Sequence, residues 1–145
     1  MNEPTTQATA YEQMGGHDTF VRLVRGFYAR VALDPALRAL YPEEDLGPAE
    51  IRLRMFLEQY WGGPNTYSQQ RGHPRLRMRH APYAVTPQQR DRWLRHMLAS
   101  VADVGLDGEQ EATLVDYLAR AADMLVNAPE EAAGTDGSPQ TDQTD

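Results

Sequence analysis

The run Arg71-Gly72-His73-Pro74-Arg75-Leu76-Arg77-Met78-Arg79-His80 sets two histidines among four arginines, and Pro82 and Tyr83 follow closely. Three chemistries draw on such residues: phosphate binding by a basic patch, metal ligation by a histidine pair, and one histidine ligand with arginines close by for carboxylates. The pair is badly placed for a shared metal. His73 and His80 would stand two turns apart on one helix, and Pro74 interrupts it. His80 has better company: Leu76 is four residues back and shares its face, while Arg79 lies about 100° round, beside that face. His17, in a turn beside Gly15-Gly16, and His96, on a helix flank and read as half-exposed, lack such neighbours.

A second stretch repeats the design. Ala49, Leu53 and Phe56 form an apolar helix face, and Arg52 flanks it. Two apolar faces, each edged by arginine, suit a flat apolar cofactor with carboxylates along one edge. Haem fits that description, with one histidine nitrogen for its iron. The same stripes would also serve as ordinary core. Tyr28, Tyr41 and Trp93 fall on or beside inward stripes, and buried rings of these types need hydrogen-bond partners. Singly each is core packing; converging, they would line a polar ligand pocket.

Composition removes several other functions. The chain has 145 residues, 41% hydrophobic, with a net charge of −7. Five acids and no base lie in the last 18 residues, Ala128 to Asp145, leaving 16 acids against 14 bases in the rest. That near-neutral body argues against a duplex nucleic-acid binder, which needs a positive surplus. Every base is arginine, and there is no cysteine, so disulfides, thiolate metal sites and thiol nucleophiles are excluded. No HExxH, GxSxG or P-loop motif occurs, and Glu43-Glu44-Asp45 reads as solvated turn. No apolar run has membrane-span length and no signal-peptide pattern opens the chain, so a cytoplasmic protein is expected.

The elements that must position these residues are helical. Apolar residues recur with helix period from Thr19 to Ala32, with Asp18 as N-cap. Pro35 opens a short helix to Leu40, and Pro48 opens a third that stops at Gly62-Gly63. Pro64 to Gly72 reads as an irregular loop. A short helix from Pro74 to His80 ends at Pro82. Thr86-Pro87 begins a long helix with Trp93, Leu94, Met97, Leu98 and Val101 on one face. The last runs from Glu109 to Asn127, with Leu114, Leu118, Ala121, Ala122, Leu125 and Val126 inward. No strand pattern is present, so the fold class is all-α. Residues 1–10 and the acidic tail 128–145 have the composition of disordered extensions.

Over residues 11–127 the chain resembles the group II truncated haemoglobins. The resemblance is carried by Gly15-Gly16, Phe27-Tyr28, LYPEEDL (Leu40 to Leu46), RLRMFLEQYWGGP (Arg52 to Pro64), GHPRLRMRHAP (Gly72 to Pro82) and Trp93. It implies a two-over-two helical sandwich around haem b, with His80 as iron ligand. Tyr28, Tyr41 and Trp93 would line the opposite, distal side, and Ala49 would stand where many globins hold a polar distal residue. Leu53, Phe56 and Leu76 would touch the haem, and Arg52, Tyr67, His73 and Arg79 are candidates for the propionate edge. Three aromatic donors imply tight O₂ binding with slow release, and the ligands implied are O₂, NO, CO, sulfide or peroxide. NO dioxygenase or peroxidase-like chemistry, or ligand sensing, would follow, with an unidentified reductase as partner; homo-oligomerisation is left open. The competing readings are a simple oxygen carrier and a haem-free helical interaction module.

Overall fold

The computed structural model describes residues 9–80 and 84–129. Eight helices follow in order: α1 (Ala10–Gln13), α2 (Gly16–Val31), α3 (Pro35–Arg38), α4 (Gly47–Tyr60), α5 (Thr66–Arg71), α6 (Leu76–His80), α7 (Pro87–Val104) and α8 (Gly108–Met124). There is no strand among the described residues. Helix α2 is the hinge of the packing: it lies against α4 on one side and α7 on the other, and α7 lies on α8. The pairs α2–α4 and α7–α8 form the two layers of a two-over-two sandwich.

The apolar stripe of α2 explains its central place. Phe20, Leu23, Val24, Phe27 and Val31 are all fully buried. They meet Leu57 of α4, Met97 and Val101 of α7, and Leu114 and Leu118 of α8 in one core. Each such side chain contributes about 1.5–3 kcal/mol of apolar burial. A glycine sets how closely α2 and α7 approach. A Cβ on Gly26 would stand 2.6 Å from Ser100 Oγ, and that buried hydroxyl donates to Leu23 O at 2.6 Å.

Several expectations about boundaries change. Asp18 lies in the first turn of α2, and Gly15 is its N-cap, at φ 114°. Helix α1 starts at Ala10, capped by Thr9, whose hydroxyl accepts from Glu12 N while Glu12 accepts from Thr9 N. Thr9 and Ala10 fall within the stretch read as an extension. The loop expected from Pro64 to Gly72 instead contains α5; Gln59 holds its first turn, accepting from Ser68 N (2.9 Å) and donating to Ser68 Oγ (2.8 Å). That long-range clamp is invisible to local pattern. Helix α6 begins at Leu76 rather than Pro74, after Arg75 at φ 44°. The stop assigned to Pro82 and the disorder assigned to residues 1–8 and 130–145 lie outside the described residues.

Among the described residues two carboxylates are buried, and both are paired. Glu58 accepts from His17 Nδ1 (2.8 Å) and Arg54 (3.0 Å), joining α2 to α4. Asp34 accepts from His96 Nε2 (2.8 Å) and Arg92 (3.2 Å), joining the start of α3 to α7. His96, read as a half-exposed helix flank, is half-buried on α7 and paired with Asp34. Its hydrogen bond and the Arg92 charge hold the Asp34 carboxyl below the usual carboxylate range, against the opposing effect of burial.

Candidate functional site

A cavity of about 520 Å³ opens between the layers, within the range of small-molecule and cofactor pockets. Its walls come from α2, α4, α7 and α8, with α3, α5, α6 and the Tyr41–Glu43 segment at its margins. Tyr28, Tyr41 and Trp93 all line it, as do Ala49, Leu53, Phe56, Tyr67, Leu76, Arg79, His80 and Arg52. His73 does not. It is exposed, between Gly72 at φ 78° and Pro74, where the irregular backbone precedes α6 and never reaches the cavity.

Tyr28 and Trp93 are brought together by Phe27, whose ring lies 4.9 Å from Tyr28 and 5.1 Å from Trp93. Tyr41 meets Tyr28 edge-on at 5.6 Å. A backbone clamp supports Tyr41 from behind: Arg38 donates to the carbonyls of Tyr41 (2.9 Å), Glu43 (2.7 Å) and Glu44 (2.9 Å). Burial pushes the Tyr28 and Tyr41 phenols well above the ordinary tyrosine value. Tyr28 is pushed further by the Tyr41 oxygen beside it. Tyr41 is pulled partly back by hydrogen bonds from Tyr28 and the Trp93 indole. Trp93 has only a donor, and each phenol can donate or accept, so the three groups together can offer donors to a guest in the cavity.

The histidine is built differently. His80 Nδ1 lies 2.8 Å from Leu76 O. A carbonyl only accepts, so Nδ1 carries the proton and Nε2 holds a free lone pair: the tautomer a metal-ligating histidine needs. Asn127 Nδ2 donates to the His80 carbonyl at 3.1 Å, and Asn127 Oδ1 accepts from Val85 N at 2.8 Å. The segment after α8 thus ties the end of α6 to the residues leading into α7.

Cations gather at the rim. Arg79 donates to Pro74 O (2.7 Å) and Arg71 O (2.9 Å), which leaves part of its five-donor guanidinium unused. Arg52 donates to Glu43 Oε2 at 2.7 Å, which holds the Glu43 carboxyl below its usual range. Glu43 is therefore a paired wall residue, not solvated turn. Tyr67 is 4% exposed, its ring edge-on to Phe56 at 5.7 Å. Arg71, with its guanidinium 5.9 Å from the Tyr67 ring, and Arg90 also line the cavity. Arg90, Gln89 and Tyr117 were not singled out in the sequence, and Arg71 was read there only as part of a basic run. Tyr117 stands four residues before the inward Ala121, a spacing that could have marked it.

An apolar slot, one imidazole with an available Nε2 and an arginine rim fit haem. No group of three or more His, Asp or Glu side chains among the described residues offers a metal site of another kind. Fold and cavity together define a helical protein with room between its layers for a flat, carboxylate-edged cofactor and an imidazole on the cavity wall. Residues 9–127 match the bacterial-like globin family. The chain is 39% identical to group 2 truncated hemoglobin YjbI of Bacillus subtilis (strain 168), over 83% of this chain and 89% of that one. It superimposes on the thermostable hemoglobin of the actinobacterium Thermobifida fusca with TM-score 0.83 and 61% identity, over 85% of this chain and all of that one. A truncated oxygen-avid haemoglobin of Bacillus subtilis matches with TM-score 0.78 and 38% identity, over 83% of this chain and 100% of the other. The chain belongs to the bacterial-like globins, among the group II truncated haemoglobins, and its cofactor is haem b. No helix among the described residues is long and apolar enough to cross a membrane.

Proposed function

We propose that His80 Nε2 ligates the haem iron and that Tyr41, Trp93 and Tyr28 hold O₂ on the other face, giving tight binding and slow release. The observation that carries this reading is the convergence of three aromatic hydrogen-bonding groups on the cavity that His80 also lines. Bound haem supplies an iron position open to a diatomic ligand. The surrounding residues do the rest. Tyr41 and Tyr28 offer their O–H groups and Trp93 its indole N–H. Ala49, with its single methyl group, leaves room beside them. Each donor contributes roughly 1 kcal/mol, and each 1.4 kcal/mol slows escape about tenfold. Arg79, Arg71 and Arg52 are placed to receive the two propionates. The similar haemoglobin of Bacillus subtilis is oxygen-avid, in accord with this.

A protein that releases O₂ slowly delivers it poorly. Its role is chemistry on the held ligand, NO oxidation or peroxide reduction, with an external reductase returning the iron to its ferrous state. Stopped-flow O₂ displacement from the reduced protein tests the reading. Dissociation is slow in the parent chain and several-fold faster in Trp93→Phe. Equal rates in the two would remove the indole from the ligand-holding network.

A further inference from the structure

One surface beside the cavity stands apart in charge. No acid lies between Glu58 and Asp91, a stretch that holds Arg71, Arg75, Arg77, Arg79 and Arg90. Elsewhere arginines meet carboxylates: Arg30 with Asp103, Arg54 with Glu58, Arg92 with Asp34, Arg120 with Asp116. Arg75 and Arg77 are exposed, and their side chains have no partner among the described residues. Exposed Arg71 and His73 adjoin them, and the 2.9 Å bond from Arg79 to Arg71 O fastens the end of α5 to α6. Met78, next to Arg77, is 59% exposed. Helix α6 thus has two sides. Leu76 and His80 line the cavity, while Arg77 and Met78 face solvent. An exposed apolar side chain flanked by arginines has the make-up of a protein interface, where Met and Arg are enriched. The backbone adds a second sign. Arg75 stands at φ 44°, in the left-handed region where glycine is at ease and a side chain is strained. Keeping arginine there holds a charge at this spot at some cost to stability.

We propose that Arg75, Arg77 and Met78 form the docking surface for a small acidic iron–sulfur protein that reduces the haem iron. This deepens the proposed function by naming the reductant's class, and it rests on the reading of His80 as iron ligand. The step is a single electron transfer. One reduced [2Fe–2S] cluster loses one electron and is oxidised, the ferric iron gains it and becomes ferrous, and no atom changes hands. A nicotinamide delivers a hydride, with two electrons at once, and does not match a one-electron acceptor. A protein seated on the outer side of α6 stands against the five-residue helix whose inner side carries His80. Charge selects the partner. Because Arg75 and Arg77 are unpaired, docking breaks no ion pair within the chain. Their field draws a partner of opposite sign and speeds encounter, an effect that salt screens. Duplex nucleic acid would need a broader positive surface than this near-neutral body offers.

The test titrates ferric, haem-loaded protein with a strongly acidic plant-type [2Fe–2S] ferredoxin and reads binding by calorimetry, at low and at high salt. Stopped flow under carbon monoxide then follows haem reduction, with the reduced ferredoxin as donor. The parent should bind at low salt and lose affinity as salt is added. Arg75→Gly and Arg77→Gln should each bind the ferredoxin several-fold more weakly and be reduced several-fold more slowly. Both should keep the parent Soret band and O₂ dissociation rate. Arg75→Gly, relieved of its left-handed strain, should melt no lower than the parent. Binding and reduction unchanged in both variants, or no binding by the parent, overturn the docking surface. Self-association in sedimentation that Arg77→Gln abolishes gives the surface to a second copy and overturns it too. So does binding that begins only once residues 130–145 are removed, which gives the surface to the chain's own acids. A starting protein with no Soret band overturns the haem reading instead.

Discussion

The two sides of the cavity are held by different forces. Tyr28 and Trp93 stand on the long helices α2 and α7, wedged by the fully buried Phe27. His80 ends a five-residue helix with no buried residue. Its ring is aimed by a backbone carbonyl at 2.8 Å and its peptide by an asparagine amide at 3.1 Å. Packing is non-directional and collective, so the aromatic side should behave as part of the core. Hydrogen bonds are directional and individually small, so the histidine side should behave as a separately adjustable clamp. The contrast suggests a division of labour: ligand retention is set by the core, and cofactor attachment by a short segment tied down at its ends.

The largest effect that would probe this division is at the ligand itself. His80→Ala removes the one imidazole nitrogen free to bind iron in the cavity. Hemin titration of the variant should lose the five-coordinate histidine spectrum of the reduced protein, while far-ultraviolet circular dichroism stays unchanged because α6 contributes nothing to the core. Retention of that spectrum would mean that a different residue binds the iron. The next effect belongs to the aromatic side. Tyr28 and Tyr41 have phenols raised by burial, so the folded chain keeps protons that the unfolded chain loses above about pH 10. Their contribution is fully present below that value and disappears as pH climbs beyond it. Denaturant midpoints should therefore fall from about pH 10 upward, and Tyr28→Phe should make the fall shallower. A variant with the parent slope would place the alkaline sensitivity elsewhere.

Legibility in the sequence follows the same divide. The α2, α7 and α8 stripes were readable because helix-period burial is a local pattern, and so were Tyr28 and Trp93, which ride on it. Leu76 and His80 were readable as an i, i+4 pair. What local pattern could not carry was long-range tethering. Helix α5 depends on Gln59 reaching Ser68, so the Asn- and Gln-rich stretch looked like loop. Glu43 looked solvated because Arg52 is its partner only after α4 folds back. His73 shares residue type with His80 but not backbone: Gly72 at φ 78° and Arg75 at φ 44° set it apart. Residue pattern alone offered His80 as a ligand and Tyr28, Tyr41 and Trp93 as a pocket wall beside the plain reading as core, and the family resemblance assigned the roles.

The smallest effect probes the clamp. Asn127 joins three points of backbone: its amide donates to His80 O (3.1 Å), its Oδ1 accepts from Val85 N (2.8 Å), and its own N–H donates to Val85 O (2.9 Å). Asn127→Ala deletes the two side-chain bonds and spares the backbone one. Both deleted bonds are exposed, so water replaces much of what is lost, and the cost should be about 1 kcal/mol, read as a small fall in the thermal midpoint. Asn127→Asp keeps the acceptor for Val85 but removes the donor to His80, so it isolates the bond that reaches the histidine proposed as iron ligand. If the clamp is separate from the core, both variants shift the iron–histidine stretching band in resonance Raman spectra of the reduced protein and leave O₂ dissociation at the parent rate. Dissociation accelerated as much as in Trp93→Phe would show that the histidine segment and the aromatic wall move together, and the division between packing and tethering would fail.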